Sequence, residues 1–214
     1  MIFPDLIFET FPVGPLQCNC SIIGDPITKK AIIVDPGGDS EKIIQKVFDL
    51  SLEITNIVHT HAHLDHFLAS GIMKDLTGAN LALHKEDLFL WETLEDQCRM
   101  FGIPYIETPP PDKFIEHQED IEMDGIRGRA LHTPGHTPGS MCFFFENHKL
   151  LIAGDTLFQG SIGRTDLWGG NFKKIEKSIK EELYILDEET IVITGHGEST
   201  TIGREIRTNS FVRF

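Results

Sequence analysis

Only four of the 214 residues are cysteine, and of these only Cys18 and Cys20 lie close together. A C-x-C pair is neither a redox C-x-x-C nor half of a zinc ribbon. The sequence therefore excludes a disulfide-built scaffold and predicts reduced, partly buried thiols. Basic residues are scarce as well, 19 Lys and Arg against 33 Asp and Glu, for a formal net charge of −14. That balance argues against nucleic acid as a partner, because phosphate binding needs clustered Lys and Arg. Long apolar runs are missing. None approaches the ~18 residues of a membrane span, so no membrane association is expected. The opening stretch has no basic n-region and meets Pro4, Asp5 and Glu9 at once, which predicts no secretory leader and a cytoplasmic protein. Repeats and low-complexity tracts are absent too, and the only proline cluster, Thr108 to Pro111, reads as a rigid loop. What remains is 40% hydrophobic and 24% charged, the composition of a globular chain. A single domain over residues 1–214 is expected.

The pattern of what is present alternates strand and helix. Short β-rich runs bounded by turn signals predict strands at Leu16 to Ile23, Lys30 to Val34 and Ile54 to His59, then at Leu81 to Leu83. Further strands are expected around Phe114 and Ile121, and at Ile126 to Leu131, Met141 to Phe145, Lys149 to Ala153 and Ile191 to Thr194. Helical spacing predicts one helix capped by Ser40 and running through Leu50, and another from Asp65 to near Gly78. A third carries Leu88, Trp91, Leu94, Cys98 and Phe101 on its apolar side, with Glu86, Asp87, Glu92, Glu95 and Asp96 opposite. Asn171 is the expected N-cap of a fourth, striped by Phe172, Ile175, Ile179, Leu183 and Leu186. Interleaved strands and helices indicate a layered α/β architecture.

The strongest chemical signal is His59-Thr60-His61-Ala62-His63-Leu64-Asp65-His66. In extended chain His61 and His63 project from one side, and Asp65 and His66 can turn back toward the same volume. Imidazole and carboxylate suit zinc, and also iron or manganese. Three later segments end strands on further ligand types: His136 within T-P-G-H-T-P-G-S, Asp155 after L-I-A-G, and His196 within G-H-G. Glycines beside these residues permit close backbone approach. Five histidines and two aspartates at strand ends fit two metal ions.

These motifs resemble the metallo-β-lactamase superfamily, and within it the glyoxalase II (hydroxyacylglutathione hydrolase)-like branch, from about Leu16 onward. H-x-H-x-D-H marks the superfamily, while H-T-P-G-H-T-P-G-S, G-D-T-L-F and G-H-G are closer to the glyoxalase II-like and persulfide dioxygenase-like branches. The resemblance implies an αββα four-layer sandwich with the site along one sheet edge. It implies His61, His63 and His136 as ligands of one divalent ion, Asp65, His66 and His196 as ligands of a second, and Asp155 bridging both. Zinc is the expected metal. A water whose pKa falls from 15.7 to roughly 7 on coordination would be the nucleophile, present as a bridging hydroxide, with Asp65 and Asp155 the catalytic carboxylates. A thiolate leaves without a general acid, so a small thioester such as S-D-lactoylglutathione is the favoured substrate. A mononuclear-iron persulfide dioxygenase, and a hydrolase of another small ester or lactone, are the alternatives.

The resemblance also makes Arg164, in G-S-I-G-R-T-D, the substrate-binding residue near a glutathione carboxylate, with an Arg164–Asp166 pair as the competing assignment. The helical C-terminal glutathione-binding domain of full-length glyoxalase II is not expected here, and either a monomer or a homodimer fits. His59, His132 and Asp35 are expected to support the ligands or the turns. His84, His117 and His148 are expected at the surface, and Trp168 is expected to pack.

Overall fold

In the computed structural model, which describes residue 3 and residues 5–213, the β-rich runs assemble into two six-stranded sheets. The first sheet has the order β1 (Ile7–Val13), β2 (Cys18–Gly24), β3 (Lys30–Val34), β4 (Glu53–Val58), β5 (Asn80–Leu83) and β6 (Lys113–Phe114). It is antiparallel through β3 and parallel beyond. The second sheet begins with β7 (Asp120–Met123), β8 (Ile126–His132), β9 (Met141–Phe145) and β10 (Leu150–Gly154), an antiparallel meander. After a small hairpin of β11 (Leu157–Phe158) and β12 (Ser161–Ile162), β13 (Ile191–Thr194) joins β10 in parallel and β14 (Thr200–Thr201) closes the edge.

Period-two alternation sorts the side chains into layers. Along β3, Ala31 and Ile33 face one apolar cluster with Ile43, Val47 and Met73, while Ile32 and Val34 face another. Along β9 and β10, Met141, Phe143, Phe145, Leu150 and Ile152 join Ile32 and Val34 between the sheets. Their neighbours Cys142, Phe144, Leu151 and Ala153 pack outward on Ile175, Ile179 and Leu183. Three apolar seams separate four layers, the expected αββα sandwich. Phe143 lies fully buried in the central seam, where truncation to Ala costs about 3–5 kcal/mol.

Helices α1 (Ser40–Asp49), α2 (Leu64–Phe67), α3 (Ser70–Thr77), α4 (Leu88–Glu92) and α5 (Leu94–Phe101) carry residues of the first outer seam. Helix α6 (Phe172–Ser178), continued by a π-turn at Ile179–Leu183, and α7 (Ile202–Thr208) cover the second sheet. Asn171 caps α6 as expected, its Oδ1 accepting from Lys174 N at 3.1 Å.

Several elements depart from the sequence reading, each for a local reason. Strand β1 was not expected; its exposed Pro12 and half-buried Glu9 interrupt the pattern, yet it pairs along its full length with β2. Asp39 rather than Ser40 sits at the N-cap of α1, in left-handed geometry, and its Oδ2 accepts from Gly14 N. The helix expected from Asp65 to Gly78 breaks at Leu68 and Ala69, where Ala69 N donates to Pro36 O. The helix expected through Phe101 breaks at Thr93, where Leu90 O accepts from the Thr93 hydroxyl and from Gln97 Nε2. Helix α7 was not foreseen, although Thr201 caps it by accepting from Arg204 N. His84 is buried rather than exposed, stacked on His132 with ring centroids 4.1 Å apart. The His148 side chain is also buried, against Phe3, while His117 is exposed. All four cysteines are free and buried, and no helix among the described residues is long and apolar enough to cross a membrane.

Candidate metal centre

Strands β4, β8, β10 and β13 each run into a short loop that carries a predicted ligand. After β4 the chain bends at Thr60 and is extended again at His63, then enters α2, which carries Asp65 and His66. The turn between β8 and β9 carries His136, Asp155 follows β10, and His196 follows β13.

All seven residues converge. His136 Nε2 lies 3.2 Å from His61 Nε2 and 2.9 Å from His63 Nδ1. Two nitrogens on one tetrahedral zinc would stand about 3.3 Å apart. His196 Nε2 is 3.1 Å from Asp65 Oδ2, and His66 Nε2 is 3.8 Å from that same oxygen. Asp155 stands between the two sets. Its Oδ2 is 3.5 Å from His136 Nε2, and its Oδ1 is 3.4 Å from His66 Nε2 and 3.8 Å from His196 Nε2.

Outer partners fix which nitrogen faces inward. His136 Nδ1 donates to Arg164 O at 2.7 Å, and His196 Nδ1 to Leu16 O at 3.1 Å. His66 Nδ1 donates to Asp35 Oδ2 at 2.9 Å. The Thr60 hydroxyl gives its own proton to Asp35 Oδ2, so at 3.1 Å it accepts from His61 Nδ1. Asp35 also accepts from Thr60 N, which makes it the support expected of it. With their other nitrogens protonated, His61 and His136 aim lone pairs at one another, an arrangement that needs a cation between them. His66 Nε2 and Asp155 Oδ1 are buried and have no hydrogen-bond partner among the described residues. The donor set fits divalent ions.

Electrostatics agree. Burial, reinforced by neighbouring imidazoles, holds His61 well below the usual imidazole value and brings His63 down to about 3. Burial would raise Asp155, but His66, His136 and His196 together outweigh this and hold the carboxyl below its ordinary value. His66 itself is lowered by burial and raised more strongly by Cys18 and by the carboxylates of Asp155, Asp35 and Asp65, for a net upward shift. Neutral His61 and His63 beside ionised Asp155 are the forms that bind metal, whereas His66 and His196, raised by the carboxylates around them, would give up a proton on binding it.

Glycine is required at two places here. Gly154 has φ +49°, and a Cβ on it would stand 2.4 Å from Thr60 Oγ1. A Cβ on Gly195 would fall 2.0 Å from Asp155 Oδ1.

The site opens into a cleft of about 120 Å³ walled by Leu16, Leu64, Phe101, Leu167 and Trp168, with Gln97 and Arg164 at its polar margin. The Trp168 ring also packs against His63, centroids 6.0 Å apart. Arg164 is exposed and pairs with Asp166 through two bonds of 2.7 and 2.9 Å. His59 is structural, its ring bonded to Ala82 O and the Ser70 hydroxyl.

Sequence reasoning missed two supports. Gln97 accepts from Leu64 N and donates to Ala62 O. Asp87, assigned to a solvated helix face, is fully buried and bonded to the ligand loops. No motif marks either one; a polar residue at a helical position facing the core is the only available signal.

A family model described as the metallo-beta-lactamase superfamily matches residues 13–196. The hydroxyacylglutathione hydrolase GloC of Haemophilus influenzae is 41% identical over 206 residues, 95% of this chain and 97% of that protein. Among solved structures, the BLEG-1 B3 metallo-beta-lactamase superposes with a TM-score of 0.89 at 36% identity, covering 96% of this chain and 99% of that one. TTHA1623 in a di-iron-bound form gives a TM-score of 0.87 at 33% identity, covering 95% and 100%.

Proposed function

Because this chain belongs to the metallo-β-lactamase superfamily, we propose that it is a metal-dependent hydrolase of small thioesters, S-D-lactoylglutathione or a close relative. The observation that carries the reading is Asp155, whose two oxygens face two separate donor sets. His61, His63 and His136 would hold one ion, Asp65, His66 and His196 the other, with Asp155 shared. Divalent ions bound there would supply a water acidic enough to ionise near neutral pH and a Lewis acid for a carbonyl oxygen.

The chain's own residues do the rest. Asp65 lines the cleft beside Asp155, and its carboxylate is the group placed to take up a proton from the attacking water. Leu16, Leu64 and Trp168 keep bulk water from the acyl carbon. Apart from Asp65, the described residues lining the cleft include no Lys, Tyr or Cys to protonate an amide nitrogen. A thiolate, whose parent thiol has a pKa near ~8.5, needs no such donor, and this favours a thioester over an amide. Arg164 at the margin binds the distal carboxylate of the thiol by exchanging it for Asp166. Support for the glutathione class comes from the 41%-identical relative named as a hydroxyacylglutathione hydrolase.

The test is hydrolysis of S-D-lactoylglutathione before and after chelation, followed by readdition of zinc, iron or manganese. Turnover lost on chelation and restored by one metal supports the reading and names the metal. Undiminished turnover, or no attack on any thioester, overturns it. Oxygen uptake with glutathione persulfide in place of hydrolysis would make the chain a persulfide dioxygenase.

A further inference from the structure

The turn around His136 holds three residues that the chemistry above does not use: Thr137, Gly139 and Ser140. All three gather around Asp87, a carboxylate with no exposed surface at the head of α4. Asp87 Oδ2 accepts from Thr137 Oγ1 at 2.7 Å and from Ala62 N at 3.1 Å. Its Oδ1 accepts from Gly139 N at 2.6 Å. Ser140 completes the knot, its hydroxyl accepting from Thr137 N at 3.0 Å. Gly139 is what lets the carboxylate in, since a Cβ there would stand 2.7 Å from Asp87 Cγ.

Ala62 lies between His61 and His63, and Thr137 follows His136. One buried carboxylate thus ties together the two loops that carry the three-histidine set, and it lies 25 and 50 residues away from the groups it holds. Three donors converge on it, two N–H groups and one O–H, so the position demands a group that only accepts. An amide would turn an NH₂ toward at least one of those donors. The Asp65–His66–His196 set has no bond to Asp87 and leans instead on Asp35, Leu16 O and its own helix turn.

We propose that Asp87 is a positioning residue that sets how tightly the His61–His63–His136 set binds its ion, leaving the second set unaffected. This rests on the metal-binding reading of the site. It predicts a selective loss of affinity, which a purely structural role would not produce.

The experiment titrates Zn²⁺ into metal-free protein against a chromophoric chelator. In a His196→Ala background, where the second set is crippled, Asp87→Asn should weaken zinc by about 10–100-fold, the range for groups that orient ligands. In a His136→Ala background the same substitution should change affinity by less than about twofold. Melting of the metal-free proteins, followed by circular dichroism, separates orientation from folding: the zinc-induced rise in Tm should shrink more than the metal-free Tm falls. Equal affinity with and without Asp87→Asn in the His196→Ala background overturns the proposal. So does an equal loss in both backgrounds. If Asp87→Asn does not fold, Thr137→Val removes one of the three bonds and should cost about fivefold in the His196→Ala background, the worth of one hydrogen bond; unchanged affinity then overturns it. Failure of the unsubstituted protein to bind zinc, iron or manganese is the distinct result that would overturn the metal reading as well.

Discussion

The two sheets supply the site in opposite ways. The first sheet delivers His61, His63, Asp65 and His66 from a single loop after β4, so four donors are placed by one backbone path. The second delivers His136, Asp155 and His196 one at a time, from three separate loops. A contiguous loop can be preset by its own geometry and a few braces such as Asp35 and Gln97. Dispersed donors depend on strand register, on the β10 irregularity at Gly154, and on links between the sheets. One such link is Asn19, whose N donates to Gly195 O at 2.7 Å and whose Nδ2 donates to Thr194 O at 2.9 Å. The contiguous half is placed by one backbone path, whereas each donor of the dispersed half rests on the register of its own strand.

The sharpest way to break this contrast is at the residue the halves share. Asp155→Asn is expected to lower kcat by about 10³-fold, the scale for removing a group that stabilises transition-state charge, measured by thioester hydrolysis. Next comes His196→Ala, which removes one dispersed donor and should reduce bound metal from about two ions to about one by elemental analysis, with the three-histidine set still filled. Asp35→Asn strikes the brace of the contiguous loop and should weaken metal binding by about 10–100-fold in a chelator competition. Asn19→Ala loosens the link between sheets and should cost about 1–2 kcal/mol in denaturant unfolding. The smallest effect is expected at the margin. Arg164→Gln should raise KM for S-D-lactoylglutathione several-fold with kcat nearly unchanged, because an exposed ion pair is screened by solvent.

Legibility followed the same division. The cluster from His59 to His66 is dense enough to be read as a metal site unaided, and its geometry, extended chain and then a helix turn, follows from spacing. His136, Asp155 and His196 each looked like an ordinary turn tip; only their joint occurrence and the family resemblance singled them out. The core strands were readable because Ile32 to Val34 and Met141 to Phe145 are apolar on both faces. Strand β1 was not, because its outer position leaves most of its residues half-exposed. The break at Ala69 comes with a hydrogen bond to Pro36 O on a distant loop, and the break at Thr93 with side-chain bonds to Leu90 O, neither of which periodicity encodes. Asp87 escaped notice for a related reason: its partners lie 25 and 50 positions away.

The distance along the chain between the first and last of the seven donors has a consequence for synthesis. His196 follows His61 by 135 residues, which at ~5–20 residues per second leaves the ribosome occupied for roughly 7–27 s between them. The His61–His63–His136 trio is translated first, whereas the other ensemble waits for β13 to slot in alongside β10. On the proposed assignment, every donor of one ion is therefore synthesised before the last donor of the other.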